Sequence, residues 1–176
     1  MNTQIRILGA LAGVIVVALI VWVALDSGDS SSTDSAGEGA EAEIVSVESL
    51  RSAAEKTPIY WVGPPDGSEL ELSQPSTDRT YVRYLTGGAD AGDQRPFLTV
   101  GSYEFANPTA ALRGKGKQAD GVLATAPNGG VVYFSRKNPE SVYLAYPGID
   151  TEIEVFAPDF QQALQLVTSG RIVPVE

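Results

Sequence analysis

The chain has 176 residues and a formal net charge of −10, and it contains neither cysteine nor histidine. This length accommodates one membrane helix and one domain of ordinary size. The two missing residue types exclude disulfides, thiol nucleophiles, catalytic triads with histidine, and thiolate or imidazole metal sites. The acidic charge argues against nucleic acid as a partner, since binding to phosphates requires a basic surface. We therefore expect no nucleic-acid partner, no metal and no cofactor.

An uncharged apolar segment extends over Ile7–Leu25. A helix of this length spans about 29 Å, which matches the hydrocarbon thickness of a bilayer. The segment is longer than the apolar core of a signal peptide, and no typical cleavage site precedes Asp26, so we predict an uncleaved signal-anchor. Arg6 precedes the segment and the next basic residue is Arg51. The positive-inside rule then predicts a single-pass plasma-membrane protein with a cytoplasmic N-terminus and its C-terminal domain outside.

Gly9 and Gly13 lie one helical turn apart within this apolar segment. Small residues at this spacing let two membrane helices approach closely, so the pair is a candidate helix-dimer face. Glycine is also common in membrane helices that do not dimerise. A homodimer through the membrane helix is therefore one of two interpretations of this pair.

Residues 26–43 are acidic and rich in serine and glycine, with no basic, aromatic or branched aliphatic residue. Such a segment cannot bury enough apolar surface to offset the entropy lost on ordering, so it is predicted to be a disordered linker. The chain is thus divided into a cytoplasmic stub and anchor over residues 1–25, the linker over 26–43, and an extracytoplasmic domain over 44–176.

The domain over residues 44–176 is predicted to be α+β, with a largely antiparallel sheet and flanking helices packed on one face. A first helix is predicted over Val47–Lys56, capped by Ser46. A last helix follows Pro158, with apolar residues at helical spacing as far as Val167. A short helix is also expected to begin at Asn107-Pro108 and to end near Gly114.

Eight segments rich in Val, Ile, Tyr and Phe are bounded by Gly, Pro, Asn or Asp, which is typical of strands. They are Ile59–Val62, Glu69–Ser73, Thr80–Leu85, Phe97–Tyr103, Gly121–Thr125, Val131–Ser135, Ser141–Tyr146 and Glu152–Phe156. Most intervals between them are too short for a crossover helix, which predicts antiparallel pairing. Asn128-Gly129 indicates a hairpin, since a type I′ turn needs two residues with positive φ.

Two pairs of glutamates alternate with apolar residues on predicted strands: Glu69 with Glu71, and Glu152 with Glu154. Residues two apart on a strand point to the same face, with their Cα atoms about 7 Å apart. Paired carboxylates act as general acid and base in sugar hydrolysis. The same alternation is the usual pattern of a strand with one solvated face, and we interpret all four glutamates as facing solvent.

Five residues are candidate ligand contacts: Trp61, Tyr84, Arg113, Lys115 and Lys117. The two aromatic rings are suited to stacking on a sugar or on a protein partner. The three basic residues lie among glycines, a pattern suited to lipid headgroups or an anionic wall polymer, although no nucleotide-binding motif is present. Cross-strand packing of the rings and a solvated basic loop are the alternative interpretations.

Most of the chain is covered by the apolar anchor, the acidic spacer and four short sequence segments, which are IYWVGP, TYVRYLTGG, SVYLAYPG and SGRIVPV. In this layout the chain resembles uncharacterised single-pass membrane-anchored envelope proteins of actinobacterial type. The resemblance implies a place in a bacterial cell envelope, and it implies no activity.

The leading hypothesis is a membrane-anchored, non-catalytic extracytoplasmic domain that binds a protein or a cell-envelope component and contacts the lipid bilayer through residues 7–25. The first alternative is a carboxylate-based hydrolase acting on wall sugars, which requires a glutamate with a raised pKa in a concave site. The second alternative is an accessory subunit of a membrane complex that acts through its membrane helix.

Overall fold

The computed structural model describes residues 41–137 and 139–176, which form an α+β domain. The predicted anchor over residues 7–25, the Gly9 and Gly13 pair, and the linker as far as residue 40 lie outside the described residues. Within the described part of the chain, no helix is long and apolar enough to cross a membrane.

Ten strands and three α-helices occupy the described residues. The strands are β1 Glu43–Val45, β2 Tyr60–Trp61, β3 Glu69–Ser76, β4 Arg79–Leu85, β5 Leu98–Glu104, β6 Gly121–Ala126, β7 Gly130–Ser135, β8 Ser141–Ala145, β9 Thr151–Phe156 and β10 Val173–Pro174. The helices are α1 Val47–Ala54, α2 Pro108–Lys115 and α3 Phe160–Thr168. The eight predicted strands and three predicted helices are confirmed, and the short strands β1 and β10 are additional.

Eight of the strands form one antiparallel sheet in the order β1-β3-β4-β5-β9-β8-β7-β6. Two meanders, β3 to β5 and β6 to β9, meet at the centre, where Val100 of β5 pairs with Val155 of β9. Helix α2 connects β5 to the far edge of the sheet at β6. The remaining strands, β2 and β10, pair with each other, with Trp61 opposite Val173. The predicted antiparallel pairing is confirmed.

Helices α1 and α3 pack on the same face of the large sheet, as predicted for the flanking helices. Leu50 of α1 contacts a core that contains Val82 of β4. Val167 of α3 contacts a core that contains Val100 and Val132. Because Val82 and Val100 are paired across β4 and β5, the two cores share one face, which we call the first face.

Helix α2 packs on the opposite, second face. Its buried Leu112 contacts Val131 and Tyr133 of β7, whereas Val132 between them belongs to the first-face core. Since successive strand residues point to opposite faces, α2 and α3 lie on opposite sides of the sheet. The loop over residues 86–97 covers another part of the second face, near β3 and β4.

The hairpin predicted at Asn128-Gly129 connects β6 to β7. Asn128 has φ of 58° and Gly129 has φ of 76°, so both residues adopt positive φ as the prediction required. Pro127 precedes them in the turn, and the strands close with Ala126 opposite Gly130. Glycine and asparagine tolerate this left-handed region best, which is why the dipeptide predicts the turn.

Candidate functional site

A row of polar and aromatic side chains crosses the second face of the sheet. The strand register places Tyr81 opposite Gly101, Gly101 opposite Glu154, and Glu154 opposite Tyr143. Tyr103 lies two residues along β5 from Gly101 and points to the same face. We call Tyr81, Tyr103, Glu154 and Tyr143 the tyrosine strip. All four side chains are half-buried. On the same face, α2 contacts β8 and β9, and the loop over 86–97 is bonded to Glu71 of β3.

The carboxylate of Glu154 accepts hydrogen bonds from two phenols. Tyr103 Oη donates to Glu154 Oε2 at 2.5 Å, and Tyr143 Oη donates to Glu154 Oε1 at 3.3 Å. The Tyr81 ring meets the Tyr103 ring edge-on, with 5.8 Å between their centroids. A Cβ atom at Gly101 would lie 2.9 Å from Tyr103 Oη, which is too close. The phenol can therefore lie over position 101 and reach Glu154 only because this residue is glycine. The strip is therefore a fixed arrangement.

Both phenols that bind Glu154 keep their protons. Burial, and then the charge of Glu154, raise the pKa of Tyr103 and of Tyr143 above the ordinary value. The two hydroxyls therefore remain donors to Glu154 at neutral pH. Each hydroxyl oxygen retains lone pairs that can accept a hydrogen bond from a further group.

Glu152 lies two residues from Glu154 on the same face, and it is only 9 % exposed. Lys115 Nζ, from the end of α2, is 3.4 Å from Glu152 Oε1 and 5.1 Å from the centre of the Tyr143 ring. Within the described residues, Glu152 Oε2 is buried and has no hydrogen-bond partner. Burial raises the pKa of Glu152, and the nearby Lys115 partly opposes this effect.

Glu71 lies on the same face of the sheet, is 1 % exposed, and fixes the loop over residues 86–97. Arg83 Nη1 donates to Glu71 Oε1 at 2.7 Å, and the Gly92 amide donates to Glu71 Oε2 at 2.6 Å. Arg83 Nη2 also donates to the Asp93 carbonyl at 2.6 Å. The carboxylate and the guanidinium together hold the loop against the sheet.

The interpretation that all four glutamates face solvent is wrong for two of them. Glu69 is exposed, but Glu71 is buried beneath the loop over 86–97, and Glu152 is buried beside Lys115 of α2. The reason is that the second face of the sheet carries its own covering elements. Alternation of glutamate with apolar residues does not reveal such a cover.

Two predicted ligand contacts, Trp61 and Tyr84, are buried in the first-face core. Tyr84 Oη donates to the Gly63 carbonyl at 2.8 Å and accepts from the Val62 amide at 3.1 Å. Burial raises the pKa of Tyr84 to about 12. Part of its side chain also lines a cleft of about 400 Å³ that includes Arg171. Trp61 lies among apolar residues and offers no open stacking surface.

The three predicted basic contacts lie at the end of α2 and just beyond it. Lys115 contacts Glu152 and Tyr143, whereas Arg113 and Lys117 are exposed. The glycine at 121 serves packing, since a Cβ there would lie 2.5 Å from the Lys115 carbonyl. Lys115 is on the second face, and Trp61 and Tyr84 are on the first, so the five candidates do not form one site.

The tyrosine strip itself was not predicted from the sequence. Its members come from four different strands, and the β5–β9 and β8–β9 registers together bring Tyr103 and Tyr143 to one carboxylate. One available signal was Gly101, because a glycine inside a strand often marks the close approach of another group.

No family model, no curated protein and no solved structure matches the chain. The described residues hold no group of three or more acidic side chains that could bind a metal ion. The tyrosine strip and its neighbours Glu152 and Lys115 form the candidate functional site.

Proposed function

We propose that this protein is a non-catalytic binding domain held at the plasma membrane by residues 7–25, with residues 44–176 outside the membrane. Its contact surface for a protein or cell-envelope component is the tyrosine strip. The observation that carries this proposal is that the strip is partly exposed and already fixed by hydrogen bonds. A fixed surface loses little conformational entropy on binding, and tyrosine rings provide large contact area with few rotatable bonds.

The location is supported by the uncharged segment over Ile7–Leu25 and by the absence of basic residues between it and Arg51. Protease added to intact spheroplasts is expected to digest residues 44–176 and to leave a membrane-bound N-terminal fragment. A domain that is digested only after the membrane is permeabilised would contradict this orientation.

The contact surface is tested by a photocrosslinking amino acid placed in the full chain in living cells. Tyr81→p-benzoylphenylalanine places the crosslinker on the strip, in a side chain that is half-buried in the structure. Phe105→p-benzoylphenylalanine is the matched control, because Phe105 is an aromatic residue that is 46 % exposed and lies outside the strip.

We expect a discrete crosslinked product from position 81 and none from position 105. The product should disappear when Tyr103→Ala is added, provided that the thermal unfolding midpoint stays close to that of the parent. Equal crosslinking at positions 81 and 105, or a product that is unaffected by Tyr103→Ala, would contradict the proposed surface.

A hydrolase of wall sugars is the second candidate function, favoured by the raised pKa of Glu152. A buried carboxylic acid that keeps its proton can act as a general acid, and Glu154 on the same face could then act as the partner carboxylate. This candidate predicts release of reducing ends from purified cell wall, and loss of that activity in Glu152→Gln. Absence of release by the unmodified protein would exclude it.

A further inference from the structure

Lys115 is a poorly fitting partner for Glu152. Its ammonium group is 3.4 Å from Glu152 Oε1, which is long for a charge-assisted hydrogen bond. Glu152 Oε2 is buried, and no residue that the structure describes donates a hydrogen bond to it. A buried carboxylate oxygen normally has a donor, so this atom indicates a hydrogen-bond donor beyond those that the described residues provide.

The surroundings of Lys115 have the chemistry of a cation site. The ammonium group lies over the Tyr143 ring, whose face attracts positive charge. Two carboxylates, Glu152 and Glu154, stand two residues apart on the same face, and burial, with a smaller effect of the Glu154 charge, raises the pKa of Glu152. Glu154 is bound by phenols, which carry no positive charge. Within the described residues, Lys115 is the cation in ion-pair contact with this pair.

We propose that Glu152, Glu154 and Tyr143 form a binding site for a primary ammonium group of the ligand, and that Lys115 occupies this site until the ligand displaces it. We call these three residues the ammonium site. The proposal rests on the proposed function, because it names the chemistry that the tyrosine strip recognises. A free ammonium group has three N–H donors and approaches without the restraint of α2, so it can bind both oxygens of Glu152.

Displacement of Lys115 requires little rearrangement. Its side chain is 36 % exposed and it is the last residue of α2, so the ammonium group can move into solvent without crossing the core. The ammonium group of the ligand takes the place of the Lys115 ammonium group, so the buried Glu152 carboxylate is not left without a cation. The resident lysine nevertheless lowers the apparent affinity for an external amine, because only the fraction of molecules with an empty site can bind.

Binding is measured by NMR titration of the full chain in nanodiscs. The probes are Nα-acetyl-lysine methylamide and glucosamine, which carry the ammonium group on a peptide side chain and on a sugar, respectively. Their neutral counterparts are Nα-acetyl-norleucine methylamide and N-acetylglucosamine. We expect shifts at the Tyr143 ring with one or both amines and none with the neutral compounds, and the amine that binds identifies the source.

Matched variants separate displacement from long-range electrostatics. Lys115→Met removes the resident cation, whereas Lys117→Met removes the same charge from an exposed position two residues away. We expect Lys115→Met to lower the amine Kd by about tenfold, since the competing group is gone. Lys117→Met should change the Kd less than twofold, and Glu152→Gln should raise it by about tenfold or more.

In the unmodified protein, saturation with the amine should move the Lys115 Nζ signal to the position of a solvent-exposed lysine, a readout that needs no variant to fold. Equal effects of Lys115→Met and Lys117→Met, or no shift with either amine, would overturn the ammonium site. If position 81 still crosslinks its partner while neither amine binds, the proposed function stands and this inference fails. If position 81 gives no crosslink and neither amine binds, both the proposed function and this inference are rejected.

Discussion

Gly101 determines where the Tyr103 phenol lies. The ring passes over the backbone of Gly101 to reach Glu154 in the neighbouring strand, and any side chain at position 101 would occupy that space. A single residue without a side chain thus permits a hydrogen bond between strands that are distant in sequence.

The variant Gly101→Ala should displace the phenol and break the bond from Tyr103 to Glu154. We expect a loss of about 1 kcal/mol in the free energy of unfolding, the usual net value of one hydrogen bond. Gly114→Ala is the control, because nothing lies within 4 Å of a Cβ at that position in α2. In urea unfolding it should instead gain up to about 1 kcal/mol from helix propensity. A Gly101→Ala protein as stable as its parent would contradict the role of this glycine.

The titration of Glu152 leads to a second prediction for a single residue, which concerns how stability depends on pH. Its pKa is raised on folding, so its contribution to stability is fully present below the unfolded value of 4.5 and is lost as pH rises through the folded pKa. Glutamine does not titrate. The free energy of unfolding of Glu152→Gln, relative to the parent, should therefore increase with pH across this window and then level off. Urea unfolding at a series of pH values measures the difference, and a constant difference would refute the raised pKa.

At the scale of elements, the loop over residues 86–97 is held in place although it contains no helix or strand. Glu71 and Arg83 bind its backbone, and Arg95 holds the pKa of Asp93 at about 2 through direct hydrogen bonds. Arg83 and Arg95 also lie over the Phe97 ring. These contacts hold a glycine-rich segment against β3 and β4, on the face of the sheet that carries the tyrosine strip.

Removal of the buried carboxylate in Glu71→Ala should release this loop. The change leaves Arg83 and the Gly92 amide without their acceptor, and we expect a loss of about 3 kcal/mol, as for other buried ion pairs broken on one side. Glu69→Ala, two residues away on the same face but exposed, should change stability by less than about 0.5 kcal/mol. Hydrogen exchange of the Gly92 amide should accelerate in Glu71→Ala alone. Equal effects of the two variants would contradict the anchoring role.

At the scale of the whole domain, both faces of the sheet are covered, and tyrosines are distributed through both. The chain has seven tyrosines, and burial is the principal cause of a raised pKa at each of them. Native packing therefore opposes tyrosine ionisation throughout the domain.

Alkaline titration tests this property of the whole molecule. Because each folded pKa lies above 10.0, the associated stability is fully present below pH 10 and is lost as pH rises further. Phenolate absorbance and the loss of far-ultraviolet circular dichroism should therefore rise together above that pH. Ionisation of most tyrosines near pH 10 with an unchanged circular dichroism spectrum would contradict the packing.

The sequence alone predicts the elements of this fold, because they depend on local physics. Apolar periodicity located α1 and α3, strand composition located β2 to β9, and Asn128-Gly129 located the hairpin between β6 and β7. Each of these sequence patterns lies within a few residues of the helix, strand or turn that it predicts. The strands β1 and β10 are not predicted, because β1 begins at Glu43 inside the predicted linker and β10 contains Pro174.

Tertiary structure alone decided the site. The register between β5 and β9 brings Tyr103 to Glu154 from 51 positions away in the chain. Helix α2 packs on the same side of the sheet. Alternation along a strand is the same whether the second face meets water, a helix or a loop. The burial of Glu71 and Glu152 therefore depends on contacts between distant segments, which no local pattern encodes.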